Sequence, residues 1–356
     1  MSQPTNTALY MDDDCHLSVK REFPIPTPEN DEVLVKVLFS GVNPADVKHG
    51  QQLGIRPVVL GYDFSGHIVS APPGSTFKAG DAVAGTTPTG LGRPARFGTH
   101  QDYVACPADR VFHVPQNLPM PDAACLAVVA STAADVVFNL FGLPALPAAA
   151  PPPDGTLLVW GGSTAVGSSV VQYARASGVR TIIATASASR HEMLRGLGAT
   201  HCFDYRDGDV EAQIATLVRE RGLDPIRYAL DAAGSPGESG GGPSSAERMS
   251  RCAAPDAVRV SVVFGDPRVA MAFADRSRDV SLRVEGAPHL ITIPRDEAKA
   301  ARVKEALGWA VRNYGDGFVL PCVDVWSGKS EDALQQIRLV ADWGKFGKVA
   351  IQHPLL

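Results

Sequence analysis

The sequence predicts an α/β protein in which a β-rich, partly closed barrel domain accompanies a parallel, doubly wound sheet. Its 356 residues favour two domains over one. Short strands separated by Gly and Pro fill the first part of the chain, whereas buried strands and helices alternate after residue 155. We expect residues 1–130 with 320–356 to form the β-rich domain and 131–319 the parallel-sheet domain.

Composition narrows the class of protein. The chain is 45% hydrophobic and 20% charged, as ordinary globular proteins are, and its net charge of −5 favours neither nucleic acid nor an anionic membrane as a partner. The first 14 residues are polar and acidic and contain no secretory h-region, and no apolar run is expected to span a membrane. Six cysteines without C-x-x-C spacing favour reduced thiols, so we expect a cytoplasmic protein.

The N-terminal elements follow from alternating apolar residues between turn residues. Strands are expected at 32–40, 60–70, 77–85, 98–104 and 111–115, with a turn and short helix at 41–48 and a longer helix at 121–141. A proline-rich segment at 144–153 is typical of a stiff surface loop.

The middle of the chain has the pattern of a βαβ unit. An apolar strand at 156–160 leads into a glycine-rich turn at 161–167, a helix and a second apolar strand near 181–186. Further helices are expected at 193–197, 210–221, 298–314 and 330–340, and further strands at 201–205, 226–232, 258–264 and 347–351. The last strand is expected to return to the N-terminal domain, because the parallel sheet is already complete.

The glycine-rich turn predicts a dinucleotide site. A pyrophosphate must approach the turn backbone closely and lie at the helix N-terminus, where free N–H groups and the helix dipole meet its charge. Side chains at Gly161 or Gly162 would obstruct the turn, and Gly167 allows the helix to pack against the strand. The alternative is a purely structural turn.

The end of the second strand indicates which dinucleotide binds. An NAD site usually has Asp or Glu there, but this strand continues through small and hydroxyl residues to Arg190, with no carboxylate before Glu192. Hydroxyls and a guanidinium suit a 2′-phosphate, so we expect NADPH. Alternatively, Arg190 is a solvated residue of the next helix.

Three motifs carry a family resemblance. Residues 41–48 (GVNPADVK), 61–66 (GYDFSG) and 161–167 (GGSTAVG) resemble the zinc-independent branch of the medium-chain dehydrogenase/reductase superfamily, and the resemblance covers nearly the whole chain. Within that branch, 161–165, 203–206 and 227–231 are most similar to the trans-acting enoyl reductases of fungal polyketide pathways, the lovastatin type. The resemblance implies a GroES-like barrel domain and a Rossmann domain.

Residue chemistry argues against a metal. Zinc alcohol dehydrogenases need a Cys in the first turn, a His–Glu pair after the glycine and a later Cys. This chain has Asn43 and the pair Tyr62–Asp63 in those places, and it lacks the four-cysteine structural lobe.

The resemblance also implies a set of cofactor-binding residues. Residues 45–48 would border the nicotinamide together with Ser261 and Val262, and the glycine turn would hold the pyrophosphate. Residues 188–191 would bind the 2′-phosphate, and Tyr205 would pack near the adenine ribose. The full set is Ala45, Asp46, Val47, Lys48, Gly161, Gly162, Ser163, Thr164, Ala165, Val166, Ala188, Ser189, Arg190, His191, Tyr205, Ser261, Val262, Lys345 and Phe346.

Lys48 is the candidate catalytic residue. It would hydrogen-bond the cofactor ribose or donate a proton, with water as the other proton source, and Asp46 would either orient Lys48 or cap the helix turn. Two segments are candidates for substrate binding. They are Thr132, Ala133, Ala134, Asp135, Val136, Val137, Phe138 and Asn139, and Val284, Glu285, Gly286, Ala287 and Pro288.

These observations favour reduction of an activated C=C bond, because reduction of a simple ketone is harder to support without a Lewis acid. We expect an NADPH-dependent enoyl reductase that acts in trans on a polyketide thioester held by the acyl carrier domain of a polyketide or hybrid polyketide/peptide synthase. The alternatives are a free-standing quinone or enone reductase and a non-catalytic NADPH-binding protein. Because Pro288 interrupts the expected edge strand at 280–284, we expect a monomer.

Overall fold

The computed structural model describes residues 6–148, 150–237, 242–284 and 287–356. The chain forms two compact units. The first unit comprises Met1–Val128, Arg276–Asp296 and Cys322–Leu356, and the second comprises Val129–Asp275 and Glu297–Pro321. The sequence-based division differs from these units at 276–296, which it assigned to the parallel-sheet domain.

Short strands dominate the N-terminal part of the first unit. They are β1 (Asn6–Met11), β2 (Leu17–Phe23), β3 (Glu32–Gly41), β4 (Val58–Val59), β5 (Asp63–Ser70), β6 (Ala82–Thr86), β7 (Tyr103–Pro107) and β8 (Val111–His113), with helix α1 (Ala45–Leu53) after β3. Gly54 ends α1 in the left-handed conformation, which glycine adopts without strain.

Strands and helices then alternate. They are α2 (Met120–Ala134), a π-helical segment (Asp135–Leu140), β9 (Thr156–Trp160), α3 (Ala165–Ala176), β10 (Ile182–Thr185), α4 (His191–Leu197), β11 (His201–Phe203), α5 (Val210–Glu220), β12 (Ile226–Asp231), α6 (Ser245–Cys252), β13 (Val258–Ser261) and β14 (Ala270–Met271). The C-terminal elements are β15 (Val280–Leu282), β16 (Ile291–Ile293), α7 (Glu297–Arg312), β17 (Val323–Trp326), α8 (Ser330–Trp343) and β18 (Lys348–Gln352).

The second unit contains a six-stranded parallel sheet in the order β11-β10-β9-β12-β13-β14. This order confirms the predicted doubly wound fold, in which the first strand lies at the centre and the chain winds outward in both directions. All five residues of β9 are buried, as expected for a central strand covered on both faces. The carboxyl end of β9 therefore lies at the position where ligands bind in such sheets.

The first unit is built mainly from antiparallel strands. A seven-stranded sheet contains β17-β18-β3-β5-β6-β8, with β7 also paired to β3, and a smaller sheet contains β2-β1-β4. In β18, Ala350 pairs with Gly41 of β3, which confirms that the last strand returns to the N-terminal domain. One core of this unit consists of inward-facing residues of β3, β5, β6 and β7, among them Val35, Phe64 and Val104.

The expected edge strand of the parallel sheet was wrong. Strand β15 pairs with β16 in a separate two-stranded sheet of the first unit, and the edge of the parallel sheet is β14. Two backbone hydrogen bonds, from Arg283 N to Leu53 O and from Leu91 N to Ser281 O, hold this segment in the first unit. The argument for a monomer from Pro288 therefore no longer applies.

The expectation about apolar runs also needs correction. One helix in the described part of the chain, Met120–Leu140, is long and apolar enough to cross a membrane. However, 83% of its most apolar window is buried within the fold, which is typical of the core helix of a soluble protein. Its length and apolar composition therefore reflect packing inside the protein.

Candidate active site

The glycine-rich turn between β9 and α3 is the candidate dinucleotide site of the second unit. Gly161 has φ of 85°, which favours glycine, and a Cβ on Gly167 would lie 2.4 Å from the Gly161 carbonyl oxygen. Thr164 caps α3, because its hydroxyl accepts from Gly167 N at 3.0 Å and donates to Gly161 O at 2.9 Å. Residues 163–166 stay partly exposed, so their backbone can meet a phosphate.

The region after β10 has the features expected around an adenosine ribose. The predicted residues Ala188 and Ser189 are exposed in a short 3₁₀ turn, and Arg190 and His191 are half-buried at the start of α4. The His191 side chain forms a hydrogen bond with Ala186 O at 3.0 Å, which links the start of α4 to the residue that follows β10 and stabilises the turn between them. Tyr205, 42% exposed, lies just beyond β11.

A carboxylate that the sequence analysis had not placed lies in this region. Asp204 accepts a hydrogen bond from Ala188 N at 3.1 Å and is paired with Arg206 at 2.6 Å. The Arg206 guanidinium holds the pKa of Asp204 well below its usual range. The negative charge is thus offset locally, and Arg206 adds a second exposed cation close to the Ala188 turn.

The ends of β12 and β13 are joined by a buried polar contact. The Ser261 hydroxyl donates to the Asp231 carboxylate at 3.2 Å, and the other oxygen of Asp231 accepts from the N–H groups of Ala233 and Gly234. Burial raises the pKa of Asp231. The predicted residues Ser261 and Val262 therefore lie at the carboxyl edge of the sheet, with the Ser261 hydroxyl used structurally.

In the first unit, a buried cation lies beside α1. Lys348 of β18 donates to Asn43 Oδ1 at 2.6 Å and to Val42 O at 2.7 Å, and Asn43 Nδ2 donates to Asp63 at 3.0 Å. Burial raises the pKa of Asp63 to about 6, although Lys348 acts in the opposite direction. The sequence analysis missed Lys348, because nothing in a strand pattern marks an inward-facing lysine.

Asp46 and Lys48 of α1 behave differently. The Asp46 carboxylate accepts from Asn43 N at 2.8 Å and from His100 Nε2 at 3.0 Å, so it caps the turn as one alternative predicted. The other alternative, that Asp46 orients Lys48, was wrong. These contacts point the Asp46 side chain into the interior, and Lys48, which is half-buried, lies two residues further along the helix, where side chains do not face each other. Ala45 is also half-buried, and Val47 is buried in the core.

The Tyr62 hydroxyl forms a further polar cluster in the first unit. It lies 2.9 Å from His49 Nδ1 and 3.4 Å from the Thr89 hydroxyl, and the Arg93 guanidinium lies over its ring at 4.3 Å. Burial lowers the pKa of His49 to about 4, so its imidazole is neutral at physiological pH. The cluster offers hydrogen-bond donors and acceptors but no fixed negative charge.

These contacts do not suit zinc. At the positions where zinc dehydrogenases have ligands, Asn43 is hydrogen-bonded to an ammonium and a carboxylate, and Tyr62 to an imidazole. Within the described ranges, no group of three or more His, Cys, Asp or Glu side chains is arranged to hold a metal ion. We therefore derive no step through a metal.

The first predicted substrate segment lies mostly in the core of the second unit. Residues 133–138 are buried, Phe138 packs edge-on against Tyr173, and Asp135 accepts hydrogen bonds from Asn139 and Phe273. Thr132 and Asn139, at the two ends, keep partial exposure. A substrate could therefore contact the ends of this segment more readily than its centre.

The remaining predicted residues lie in the first unit. Val284 and Ala287 are half-buried, Ala287 N donates a hydrogen bond to Val284 O, and Pro288 is exposed. Glu285 and Gly286 lie outside the described residues. Lys345 is exposed and paired with Asp324 at 2.7 Å, and Phe346 is half-buried beside it in sequence.

Comparison with protein families supports the fold and its two parts. A model of the alcohol dehydrogenase GroES-like domain matches residues 29–116, and a model of the zinc-binding dehydrogenase domain matches residues 165–260. The first match covers strands β3 to β8, and the second runs from the start of α3 into β13. The chain belongs to the medium-chain dehydrogenase/reductase superfamily.

Individual relatives are more specific. The chain is 36% identical over 210 residues to the trans-enoyl reductase himH of Aspergillus japonicus, covering 58% of this chain and 59% of that protein. It is 32% identical over 235 residues to the trans-enoyl reductase traG of Penicillium crustosum, covering 63% and 62%. The chain thus spans about three fifths of the length of the curated relatives it matches.

A solved structure shows the same fold over the whole chain. The alcohol dehydrogenase superfamily protein from Novosphingobium aromaticivorans has a TM-score of 0.72 at 23% identity, with 99% of this chain and 100% of that chain covered. The architecture predicted from the sequence, a GroES-like domain with a Rossmann domain, is therefore confirmed.

Proposed function

We propose that this protein is a trans-acting enoyl reductase that uses NADPH to reduce the α,β-double bond of a polyketide thioester. The observation that carries the proposal is the similarity to trans-enoyl reductases, extending over 58–63% of this chain. The names of these relatives, trans-enoyl reductases, also support a synthase as the partner, whose acyl carrier domain would present the thioester. The six cysteines form no disulfide within the described residues, which fits a reducing compartment such as the cytoplasm.

The second unit fits a dinucleotide. A side chain at Gly167 would fill the turn, so the backbone around Gly161 is left for a pyrophosphate, which the N-terminus of α3 attracts. Arg190 supplies positive charge for a 2′-phosphate, and the nearby carboxylate of Asp204 is neutralised by its ion pair with Arg206. This charge pattern favours NADPH over NADH.

The first unit supplies groups for the substrate side of the reaction. NADPH, when bound, supplies the hydride that is added to the β-carbon. Negative charge then develops on the thioester carbonyl oxygen and must be met by hydrogen-bond donors. Lys48 at the start of α1 is our candidate for a donor to the ribose or the substrate. The Tyr62 hydroxyl, in the Tyr62–His49–Thr89 cluster, is a neutral candidate donor.

The proposal is tested by NADPH oxidation with a 2-enoyl pantetheine thioester, beside a simple quinone and an NADH control. We expect turnover of the thioester with NADPH, and a further rate increase when the thioester is loaded on a carrier domain. Turnover of the quinone alone would favour the free-standing quinone reductase. If NADPH binds but neither compound reacts, even on a carrier domain, the protein is a non-catalytic binder.

Lys48→Met tests the candidate catalytic residue. Loss of a general acid or of a ribose contact should lower kcat about 100-fold without changing the fold. Lys78→Met, which removes an exposed lysine in a turn of the same unit, is the matched control and should leave kcat unchanged. Equal rates for both variants would remove Lys48 from the mechanism and favour water as the proton donor.

A further inference from the structure

Five buried polar side chains of the first unit form one continuous chain of hydrogen bonds. From Asp46 Oδ2 it runs 3.0 Å to His100 Nε2, then 2.8 Å from His100 Nδ1 to Ser40 Oγ. From Ser40 Oγ it continues 2.9 Å to His353 Nε2 and 3.0 Å from His353 Nδ1 to Asp102 Oδ1. All five residues are 6% exposed or less, and none was predicted to work with the others.

The two ends of this relay have different surroundings. Asp46 lies in the first turn of α1, two residues from Lys48, and its second oxygen, Oδ1, is buried without a hydrogen-bond partner. At the other end, Asp102 lines a surface cavity of about 360 Å³ together with Lys36 and Tyr103. The relay thus joins the start of α1 to a cavity on the surface of the same unit.

Backbone contacts indicate the charge of the end groups. Asp102 accepts hydrogen bonds from Leu355 N and Thr7 N, and Asp46 accepts one from Asn43 N. Backbone N–H donors stabilise a carboxylate in its ionised form. Each carboxylate therefore accepts a ring N–H from its neighbouring histidine.

The number of hydrogens that the relay needs follows from its four contacts. The four hydrogen bonds need four hydrogens, but two neutral imidazoles and one hydroxyl provide only three. Because Ser40 Oγ lies close to a ring nitrogen on both sides, it donates to one ring and accepts from the other. With both carboxylates ionised, making all four hydrogen bonds at once requires that one of the two rings carry two N–H groups, and rotation of the Ser40 hydroxyl together with one proton transfer would exchange the two rings in that role.

The two histidines of the relay have different surroundings. Burial lowers the pKa of His353, although Asp102 opposes the effect. Around Asp46, the other titratable or charged groups include His49, Tyr62, Asp63, Arg93 and Cys125, and around Asp102 they include Lys36 and Tyr103. Gly61 permits this packing, because a Cβ there would lie 2.8 Å from His100 Cγ.

From this geometry we infer that Asp46, His100, Ser40, His353 and Asp102 form a proton relay that conducts one proton from the surface cavity to the start of α1. The inference rests on the proposed enoyl reduction, which consumes one proton per turnover. Hydride forms the C–H bond at the β-carbon, the π electrons move to the thioester enolate, and a proton from an active-site acid forms the C–H bond at the α-carbon. The relay supplies the proton at Asp46, in the same helix α1 that carries the candidate acid Lys48, and solvent in the cavity reprotonates the relay at Asp102. Its five members are positioning residues.

The relay itself is tested without substrate or cofactor, by NMR of the ¹⁵N-labelled histidine rings. At neutral pH we expect three ring N–H hydrogens from His100 and His353 together. Two such hydrogens, with fixed neutral tautomers across the range from about pH 5 to pH 8, would overturn the inference. Because this measurement needs no turnover, it stands whether or not the protein proves to be an enoyl reductase.

Ser40→Ala interrupts the relay at its centre. We expect kcat to fall about 10-fold at pH 8 and less at pH 6, where protons are more abundant, with the KM for the thioester unchanged. Ser40→Thr retains the hydroxyl and should restore the rate. The matched control is Ser65→Ala, which removes a buried hydroxyl of β5 that donates to Met120 O and lies outside the relay.

The outcomes separate a relay from a structural role. If Ser40→Ala and Ser65→Ala lower kcat equally and with the same pH profile, Ser40 acts through stability alone and the inference is wrong. If Ser40→Ala fails to fold, the ring N–H count of the wild-type protein decides. Three ring hydrogens in a protein that reduces no enoyl thioester would support the relay and reject the proposed function.

Discussion

The two units make their candidate sites in different ways. In the second unit, backbone groups form the candidate site. They belong to the turn around Gly161, the N-terminus of α3 and the carboxyl ends of the parallel strands. In the first unit, the site is made by buried side chains, such as Lys348 with Asn43 and the proton relay. The residues of the backbone site adjoin in sequence, whereas Asn43 and Lys348 lie 305 positions apart.

This difference determines how each site responds to substitution. A backbone site depends on the absence of side chains, so an added Cβ is harmful while many changes nearby are tolerated. A buried polar network depends on every member, because removal of one leaves a charge or a lone pair without its partner. Three substitutions, ordered from the largest effect to the smallest, test this contrast.

Gly162→Val should have the largest effect. Its Cβ would lie 2.9 Å from the Ala184 Cβ, so the turn must shift away from β10. We expect NADPH affinity to fall at least about 100-fold by calorimetry, while circular dichroism shows that the protein remains folded. Gly196→Ala, where an added Cβ meets no atom within 4 Å, is the control and should bind normally. Retained affinity in Gly162→Val would show that this turn does not bind the pyrophosphate.

Lys348→Met should reduce stability by about 3 kcal/mol at pH 8, because it leaves Asp63 as an uncompensated buried charge. The folded-state pKa of Asp63, about 6, is raised above its usual value, so its ionisation costs stability as pH rises through that value. Without Lys348 the pKa rises further, and the loss should therefore be smaller at pH 5 than at pH 8.

Urea unfolding at the two pH values measures this effect. The control is Lys36→Met on the neighbouring strand β3, where the lysine is exposed and the change should stay within about 0.5 kcal/mol. Asp63→Asn should restore part of the loss in the Lys348→Met background. A pH-independent loss would mean that packing, not charge, accounts for the role of Lys348.

Arg190→Ala should have the smallest effect of the three substitutions, and it should raise the KM for NADPH much more than the KM for NADH. Loss of a phosphate contact is worth about 1.4 kcal/mol, so the KM for NADPH should rise about 10-fold and that for NADH much less. Arg195→Ala removes an exposed arginine of the same helix, α4, and should change neither value. Equal increases for both cofactors would contradict the assignment of the 2′-phosphate site.

The sequence-based predictions were more accurate for the backbone site of the second unit than for the side-chain site of the first unit. The βαβ unit and its glycine turn were predictable, because strand, turn and helix signals lie within about thirty residues. The placement of 276–296 was wrong, since β15 is a three-residue strand that carries no mark of which sheet it joins. The role of Asp46 was left open between two contacts, and its hydrogen bonds to the nearby Asn43 N and to His100, 54 residues away, decide it.

The sequence by itself determined the two-domain architecture, the dinucleotide turn and the family, because glycine spacing and hydrophobic periodicity act over short stretches of chain. Tertiary structure alone decided which polar groups are buried together: Lys348 with Asn43, and His100 with Ser40 and His353. The physical reason is that such contacts depend on the register of β3 against β18 and on the loop before β7. A register is a property of paired strands and cannot be read from either strand alone.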